Sequence, residues 1–570
     1  SNLKIPYEVG DGGLKDKAAS FLNVPKDHIN SIKILKKSTD ARHKPDIFFI
    51  YTLAVDVKNE KRLIDKFKNK GITEYLPSEY RFPHARVLSS DVCHDAPPSA
   101  PPKVVIAGMG PAGLFAALGL TFAGIKPIIL EQGRPVEDRV KDVENFWSKG
   151  ILNISSNVQF GEGGAGTFSD GKLTTGIHDK RISFVLDQFV KFGAPEDILY
   201  LAKPHIGTDK LRSVITNMRR YLISQGCDIR FSHKLTGLNI CKSNHCQNGI
   251  YQSGICRSNP GSLPSSSLNC DSLDVRHIKS INVSSPEGPY IIDNVSALVL
   301  ALGNSARDTF KMLIDSGVPV SCKNFAVGVR IEHLQENMDM AQYGRPSVPR
   351  VLPACDYKLV SHLESGRNVY TFCVCPGGSV VAATDTVGHV VTNGMSNYAR
   401  DGKNINGALL VELRTSDFDN DPLKAIEFQN EIERSAFSGG GETYYAPAQL
   451  VGDFLNRVPS KNFGSVAPTY LPGVKLCNLW DVLPEFICTS LAQAICDMEK
   501  RIHGFSAQDA ILTAVESRSS SPVRILRGGS MMSEITGLFP CGEGAGYAGG
   551  IMGACRGYPY GANVIFENCY

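Results

Sequence analysis

Val104-Val105-Ile106-Ala107-Gly108-Met109-Gly110-Pro111-Ala112-Gly113, followed by Pro127 to Leu130 and then Glu131, decides the fold. It reads as an apolar strand, a Gly-x-Gly-x-x-Gly turn, a helix, a second strand and an acid at that strand's end. Each part has a task at a dinucleotide. Gly108 permits the tight turn, Gly110 lets a pyrophosphate approach the backbone, and Gly113 lets helix and sheet pack closely. Pro111 and Ala112 open the helix, whose free N–H groups and partial positive charge suit phosphate. Glu131, about 20 residues further on, is placed to accept hydrogen bonds from ribose hydroxyls. The competing reading is a glycine-rich turn without a ligand.

Working outward, 570 residues are too many for one core and imply roughly two to four domains. Hydrophobic content of 42% and charged content of 21% are those of a soluble globular chain, and a net charge of +3 gives no reason to expect nucleic acid. No apolar run of about 18 residues is present, so no membrane span is expected. The 16 cysteines include no Cys-x-x-Cys and lie mostly in apolar settings, which suggests reduced thiols in an intracellular protein. Cys241, His245, Cys246, Cys256 and Cys270 match no zinc spacing; a surface insertion near 241–275 is expected there, and no metal site.

A run from His94 to Pro102 with four prolines marks a linker at 93–103, so 1–92 is expected to form a small N-terminal α+β domain. Ile47 to Val57 reads as a strand, with helices at Lys15 to Leu22 and Glu60 to Lys68. The basic stretch Lys33, Lys36, Lys37, Arg42, His43 and Lys44 reads as a solvated loop.

A second glycine-rich segment, Phe160 to Lys172, can wrap a ligand: Gly163, Gly164 and Gly166 free the backbone, and Thr167, Ser169 and Lys172 offer donors. Asp209 to Gln225 has helical spacing, Asp228 to Leu235 reads as a strand, and Ala297 to Leu302 is an apolar strand ending at Gly303. Tyr370 to Cys375 and Ser379 to Ala383, joined by Pro376-Gly377-Gly378, read as a hairpin. Gly537 to Gly550 then supplies a short strand, Gly542, Glu543 and a helix start at Gly550. A distant return of this kind suits FAD, whose ribitol and ring need a second set of contacts.

These blocks carry a family resemblance over almost the whole chain. Besides the fingerprint and Phe160 to Leu173 they include Pro204-His205-Ile206-Gly207-Thr208-Asp209, Gly303 to Asp308, Phe325 to His333 and Cys373 to Gly378. Asn393-Gly394-Met395-Ser396, Glu516 to Arg524 and Gly542 to Gly550 complete the set. The chain resembles FAD-dependent dehydrogenases of two-dinucleotide-binding-domain architecture, in particular a poorly characterised oxidoreductase family of bacteria and plant plastids. Several blocks are worded most like the plant branch, which implies a chloroplast location. The resemblance implies an α/β, Rossmann-like FAD-binding domain at 104–321 and 491–570. It also implies an inserted, mostly antiparallel α+β substrate domain at 322–490, and no known substrate. Where the family continues in Ala-Ala-Asp-Gly, this chain has Ala554-Cys555-Arg556-Gly557, and Pro559 is expected to interrupt the helix.

The chemistry beyond the flavin is left to a few side chains. Cys373 and Cys375, two apart on a strand, are candidates for a redox pair, against buried structural thiols. His205 is a candidate proton donor or a structural histidine, and Arg518 and Arg524 are candidates for an anionic substrate. No second Gly-x-Gly-x-x-Gly follows a clean strand, so NAD(P)H is expected only as a transient reductant, with a protein electron donor as another source. The expected function is hydride or electron transfer between a small organic molecule and FAD. The alternative is an FAD-binding structural or regulatory protein whose N-terminal domain docks a partner.

Overall fold

The computed structural model describes residues 2–77, 80, 103–176, 179–243, 275–347 and 351–556. Nearly all of the proline linker, most of the insertion near 241–275 with His245, Cys246, Cys256 and Cys270, and Pro559 lie outside these residues.

The apolar run at 104–107 forms the central strand, Lys103–Ala107, of a five-stranded parallel sheet. Its order is Leu538–Pro540, Val295–Leu300, Lys103–Ala107, Ile128–Glu131 and Asp228–Phe231. The strands are apolar on both faces because both faces are covered. Val104, Ile106 and Ile129 face helices Pro111–Phe122, Arg181–Lys191 and Thr208–Ser224. Val105, Ala107 and Leu130 face a three-stranded antiparallel sheet (Lys234–Ser243, Val275–Ser284, Tyr290–Asp293) and helix Arg307–Asp315. The two-residue alternation of side chains therefore feeds two cores, each fully buried Val, Ile or Leu contributing about 1.5–3 kcal/mol.

The strand expected over 228–235 is split. Ser232 adopts φ 60°, the parallel strand ends at Phe231, and Lys234 starts the antiparallel sheet. The hairpin expected at 370–383 does not form either. Asn368–Cys375 pairs with Val360–His362 and Asn404–Leu413, whereas Ser379–Ala382 pairs with Thr392–Met395. Gly377, at φ 50°, packs against the Arg400 carbonyl, where a Cβ would stand 2.0 Å away, and so turns the chain out of the sheet.

The sheet that receives Asn368–Cys375 has seven strands, in the order Val360–His362, Asn368–Cys375, Asn404–Leu413, Phe325–Leu334, Ile511–Glu516, Ala446–Leu450 and Val474–Leu476. All neighbours are antiparallel except the last pair. Ile511–Glu516 thus belongs to this sheet, and the chain rejoins the parallel sheet only at Leu538–Pro540.

The N-terminal residues form a sheet of their own, ordered Leu3–Pro6, Asp46–Val57, Ile29–His43. The basic stretch from Lys33 to His43 lies in the long strand Ile29–His43 and not in a loop, and only Lys44 falls in the turn after it; Lys37 pairs with Asp11 at 2.7 Å over the Phe49 ring. One face is covered by helices Leu14–Leu22 and Glu60–Phe67 through Ala18, Ala19, Leu63 and Phe67. The other face carries Ile5, Ile47, Phe49 and Tyr51, which share one core with Val327, Val329 and Leu409 of the seven-stranded sheet.

Candidate functional site

A cavity of about 640 Å³ opens between the C-terminal ends of the parallel strands and the seven-stranded sheet. This is the crevice where open α/β sheets bind ligands, and the size is that of a ligand pocket, about 300–1,000 Å³.

The fingerprint glycines build one end of it. Gly108 has φ 102°, and a Cβ there would stand 2.5 Å from the Ala301 carbonyl. Gly113 does not line the cavity; a Cβ on it would meet the Gly108 carbonyl at 1.9 Å, so its lack of a side chain sets the helix-to-strand distance. Gly110 faces Gly164 of the second glycine-rich segment, and the Gly163 amide donates to the Met109 carbonyl at 2.8 Å. No side chain caps helix Pro111–Phe122, so its first turn is open toward the cavity formed by Gly110, Pro111 and Ala112.

Glu131 lines this end, but its carboxylate also works within the protein. Oε2 accepts from the Met109 amide at 2.8 Å, and Oε1 accepts from the amides of Gly133 at 2.9 Å and Gly161 at 3.0 Å. It ties the two glycine loops together before any ribose is present.

The loop 160–172 folds around Arg139, a residue the sequence did not single out. Its buried guanidinium donates to the carbonyls of Asn157, Val158, Glu162 and Gly164 at 2.7–2.9 Å. Burial pulls its pKa down to about 10. Thr167, expected to offer a donor to the ligand, is fully buried and donates to the Glu162 carbonyl at 3.0 Å. Gly163 points away from the cavity toward Ile215, while Gly164, Gly166, Ser169 and Lys172 line it. Among the described residues Lys172 forms no ion pair.

The other end is lined by Gly303, Glu543 and Gly550. Gly303 and Gly550 each have no atom within 4 Å of where a Cβ would sit, so both leave space open, and Gly542 packs under them against Ala112. Burial pushes the Glu543 carboxyl up to about 7, against the opposing pull of Lys323. The described helix there, Gly550–Arg556, packs through Ile551, Met552 and Cys555 into the core around helix Pro111–Phe122.

The seven-stranded sheet closes the cavity with Phe372, Cys373 and Glu516, joined by Tyr357 from the segment before strand Val360–His362. Cys373 sits at φ 41° where the register with Asn404–Leu413 shifts between Phe372 and Cys375, so the two cysteines do not share a face. Cys373 lines the cavity; Cys375 is buried, and its thiol donates to the Cys373 carbonyl at 3.2 Å. Arg330, fully buried, donates to the same carbonyl at 3.1 Å and lies 3.7 Å from the Glu516 carboxylate. Burial lifts Glu516 to about 7. The available signal was an arginine following the apolar run Phe325 to Val329 in strand Phe325–Leu334, a charge that needs a partner.

The remaining candidates fall elsewhere. His205 stacks on Tyr398 and bonds its carbonyl at 3.0 Å, outside the cavity lining. Arg518 borders the cavity, but its guanidinium is taken by Asp385 and by Glu433 at 2.9 Å, which corrects its reading as a free anion binder. Arg524 is exposed against the Tyr547 ring at 5.4 Å, away from the cavity. Among the described residues no three His, Cys, Asp or Glu side chains are grouped to hold a metal, and no helix is long and apolar enough to cross a membrane.

An open parallel sheet with this fingerprint at its strand ends defines a dinucleotide-binding fold. Residues 324–519 match the family model described as "FAD-dependent protein, C-terminal domain-like", and residues 1–56 match a domain model of unknown function. An uncharacterised protein of Clostridium beijerinckii is 41% identical over 557 residues, covering 97% of this chain and 96% of that protein. The chain belongs to the family of that relative, and the matched model marks it as a family of FAD-dependent proteins. The relative is bacterial and lends no support to a plastid location.

Among solved structures, THI4 of Thermovibrio ammonificans is similar over 38% of this chain at 12% identity and TM-score 0.23; the chain spans 63% of its length. CtdE in complex with FAD matches 82% of this chain and 88% of its own at 11% identity and TM-score 0.29. A geranylgeranyl bacteriochlorophyll reductase-like protein of Thermoplasma acidophilum matches 82% and 78% at 10% identity and TM-score 0.32. Similarity at this level carries no argument about function.

Proposed function

We propose that the protein is an FAD-dependent oxidoreductase acting on a small organic substrate. The observation that carries this reading is one continuous cavity running from the fingerprint, through Gly303 and Glu543, to Cys373 and Glu516. The residues fit the group: Gly110, Gly164, Gly303 and Gly550 leave the room a dinucleotide needs, and an uncapped helix start faces it. Gly108, Gly110, Pro111, Ala112, Gly164, Gly166 and Glu131 would hold the adenosine and pyrophosphate, and Gly303, Glu543 and Gly550 the ribitol and ring. When bound, FAD supplies the electron chemistry.

The chain's own residues orient, exclude water and handle protons. Phe372 and Val374 supply apolar wall at the reacting end, and Glu516 and Glu543, both held near neutral pKa, exchange a proton at working pH. Reducing electrons would come from the substrate, from transiently bound NAD(P)H or from a protein donor.

The test is an absorbance spectrum of the purified protein followed by anaerobic addition of NADH, NADPH and a metabolite panel. Bands near about 370 and 450 nm that bleach with one of these donors are expected of a working flavin. A colourless protein that takes up no FAD overturns the proposal, and bound flavin that no donor reduces favours the structural role.

A further inference from the structure

We propose that the substrate of this cavity is an organic carboxylic acid, its carboxylate held by Lys172 and Asn393 and its apolar body lying along Phe372 and Val374.

The argument starts from the glycine loop. Residues 171–173 are pinned as a short extended run: the Leu173 amide donates to the Pro204 carbonyl at 2.9 Å and the Ile206 amide to the Gly171 carbonyl at 3.1 Å. Side chains alternate along such a run. Leu173 enters the core shared with helix Pro111–Phe122, so Lys172 is sent the other way, half-buried, into the cavity lining.

The charges of the lining then leave Lys172 without a counterion. The Asp170 carboxylate, which also feels Lys172, is turned to Arg400 at 2.5 Å and to the Ser396 hydroxyl. Glu516 lies 3.7 Å from Arg330, Glu543 is faced by Lys323, and Arg518 is taken by Asp385 and Glu433. At the mouth Lys203 pairs with Asp356. The Lys172 ammonium has neither an ion pair nor a hydrogen-bond partner among the described residues. A half-buried cation without a partner is costly, and an anion in the cavity removes the cost.

A second donor comes from a different segment. Asn393, half-buried in strand Thr392–Met395, also lines the cavity. Its Oδ1 accepts from the Gly394 amide at 2.8 Å, which leaves its Nδ2 group as a donor without a protein partner among the described residues. The bond from Ser396 to Asp170 ties the end of this strand to the glycine loop that carries Lys172. One ammonium and one neutral amide suit a carboxylate, with its single charge and two acceptor oxygens. A phosphate dianion needs more than the one unpaired half-buried cation present. The role expected of Arg518, whose own charge is spent inside the protein, thus falls to Lys172.

The FAD pyrophosphate is the other anion the cavity would hold, but the room for it lies at Gly110 and Gly164, by the uncapped helix start. Lys172 faces Cys373 on the seven-stranded sheet. There Phe372, 41% exposed, and Val374 offer apolar wall to the rest of the acid.

The inference rests on the FAD reading for calling this acid a substrate, and the flavin-to-protein ratio of each sample reports that reading separately. The experiment is calorimetric titration of the full chain as purified with benzoate, hexanoate, benzyl alcohol and benzyl phosphate. Benzoate or hexanoate should bind at least about tenfold tighter than benzyl alcohol, the size of effect expected of a charge-assisted hydrogen bond. Lys172→Met should remove that advantage at unchanged flavin content, and Lys172→Arg should keep most of it. Asn393→Asp, of nearly the same shape but negative, should abolish acid binding. Lys358→Met, at an exposed lysine of the rim where water and salt screen the charge, should change it less than about twofold. No preference for the acids over the alcohol overturns the proposal, and so does acid binding that survives Lys172→Met. Loss of flavin in Lys172→Met overturns it by assigning the lysine to the cofactor, and tighter binding of benzyl phosphate overturns the carboxylate assignment. A wild type that holds no flavin yet binds benzoate through Lys172 sinks the FAD reading and supports the acid site.

Discussion

Gly110 and Gly164 meet across the floor of the cavity: a Cβ on Gly164 would stand 3.0 Å from the Gly110 Cα, and one on Gly110 would stand 3.7 Å from the Gly164 Cα. The two glycine-rich segments, 54 residues apart in the chain (164 minus 110), therefore act as one surface. Gly164→Ala adds a side chain at φ 61°, costing about 1 kcal/mol, and pushes on Gly110. Reduced flavin content is expected together with a lower Tm. Gly124→Ala, at φ 82° with nothing within 4 Å, should lower Tm and keep the flavin. Equal flavin loss in both variants would remove this contact from the site.

Arg139 should be the residue whose loss the glycine loop survives least. Arg139→Met keeps much of the volume and strands three buried carbonyls and a partly buried one, so a loss of at least about 3 kcal/mol is expected from denaturant unfolding. Proteolysis within 160–172 should rise in parallel. A change under about 1 kcal/mol would mean that water replaces the guanidinium freely.

The Glu433 carboxylate gathers Arg518, Arg307 at 2.7 Å and the Ser517 hydroxyl at 2.6 Å, and the two guanidinium groups hold its pKa far below the usual range despite full burial. A depressed folded pKa gives stability that is present above the unfolded value of about 4.3 and is lost as pH falls through the folded one. Glu433→Gln should cost about 3–5 kcal/mol at pH 7, because it leaves buried arginine charge unpaired. Unfolding measured from pH 7 down to pH 3 should show the wild type losing its advantage over the variant only below about pH 4.3. A gap independent of pH would argue against this ion cluster.

His205 holds Tyr398 by one hydrogen bond and a stacked ring. His205→Asn should therefore cost about 1 kcal/mol of stability and leave the rate and pH profile of flavin reduction within about twofold. A tenfold slower reduction at unchanged flavin content would restore His205 as the proton donor.

Much of the parallel sheet was legible because its signals are local. An apolar run, three glycines at fixed spacing and an acid about 20 residues on describe one strand–helix–strand unit whose parts contact each other. The helix at 208–224 and the strand at 295–300 were legible for the same reason. The hairpin at 370–383 was misread because Pro376-Gly377-Gly378 signals a turn without saying which strands it joins; Val381 finds Asn393 and not its neighbour in sequence. Thr167 and Arg518 were offered to ligands because an exposed donor and one bound inside the protein have the same letter in a sequence.

What the sequence by itself determined is the dinucleotide end, since glycine spacing and apolar periodicity are backbone properties carried by neighbouring residues. Only the tertiary structure decided which side chains gather at the end of the cavity against the seven-stranded sheet. Cys373, Arg330, Glu516, Lys172 and Glu543 come from five separate segments, and long-range strand pairing sets their proximity, burial and charge. Strand pairing depends on which apolar surfaces cover one another, a property of the packed chain and not of any window along it.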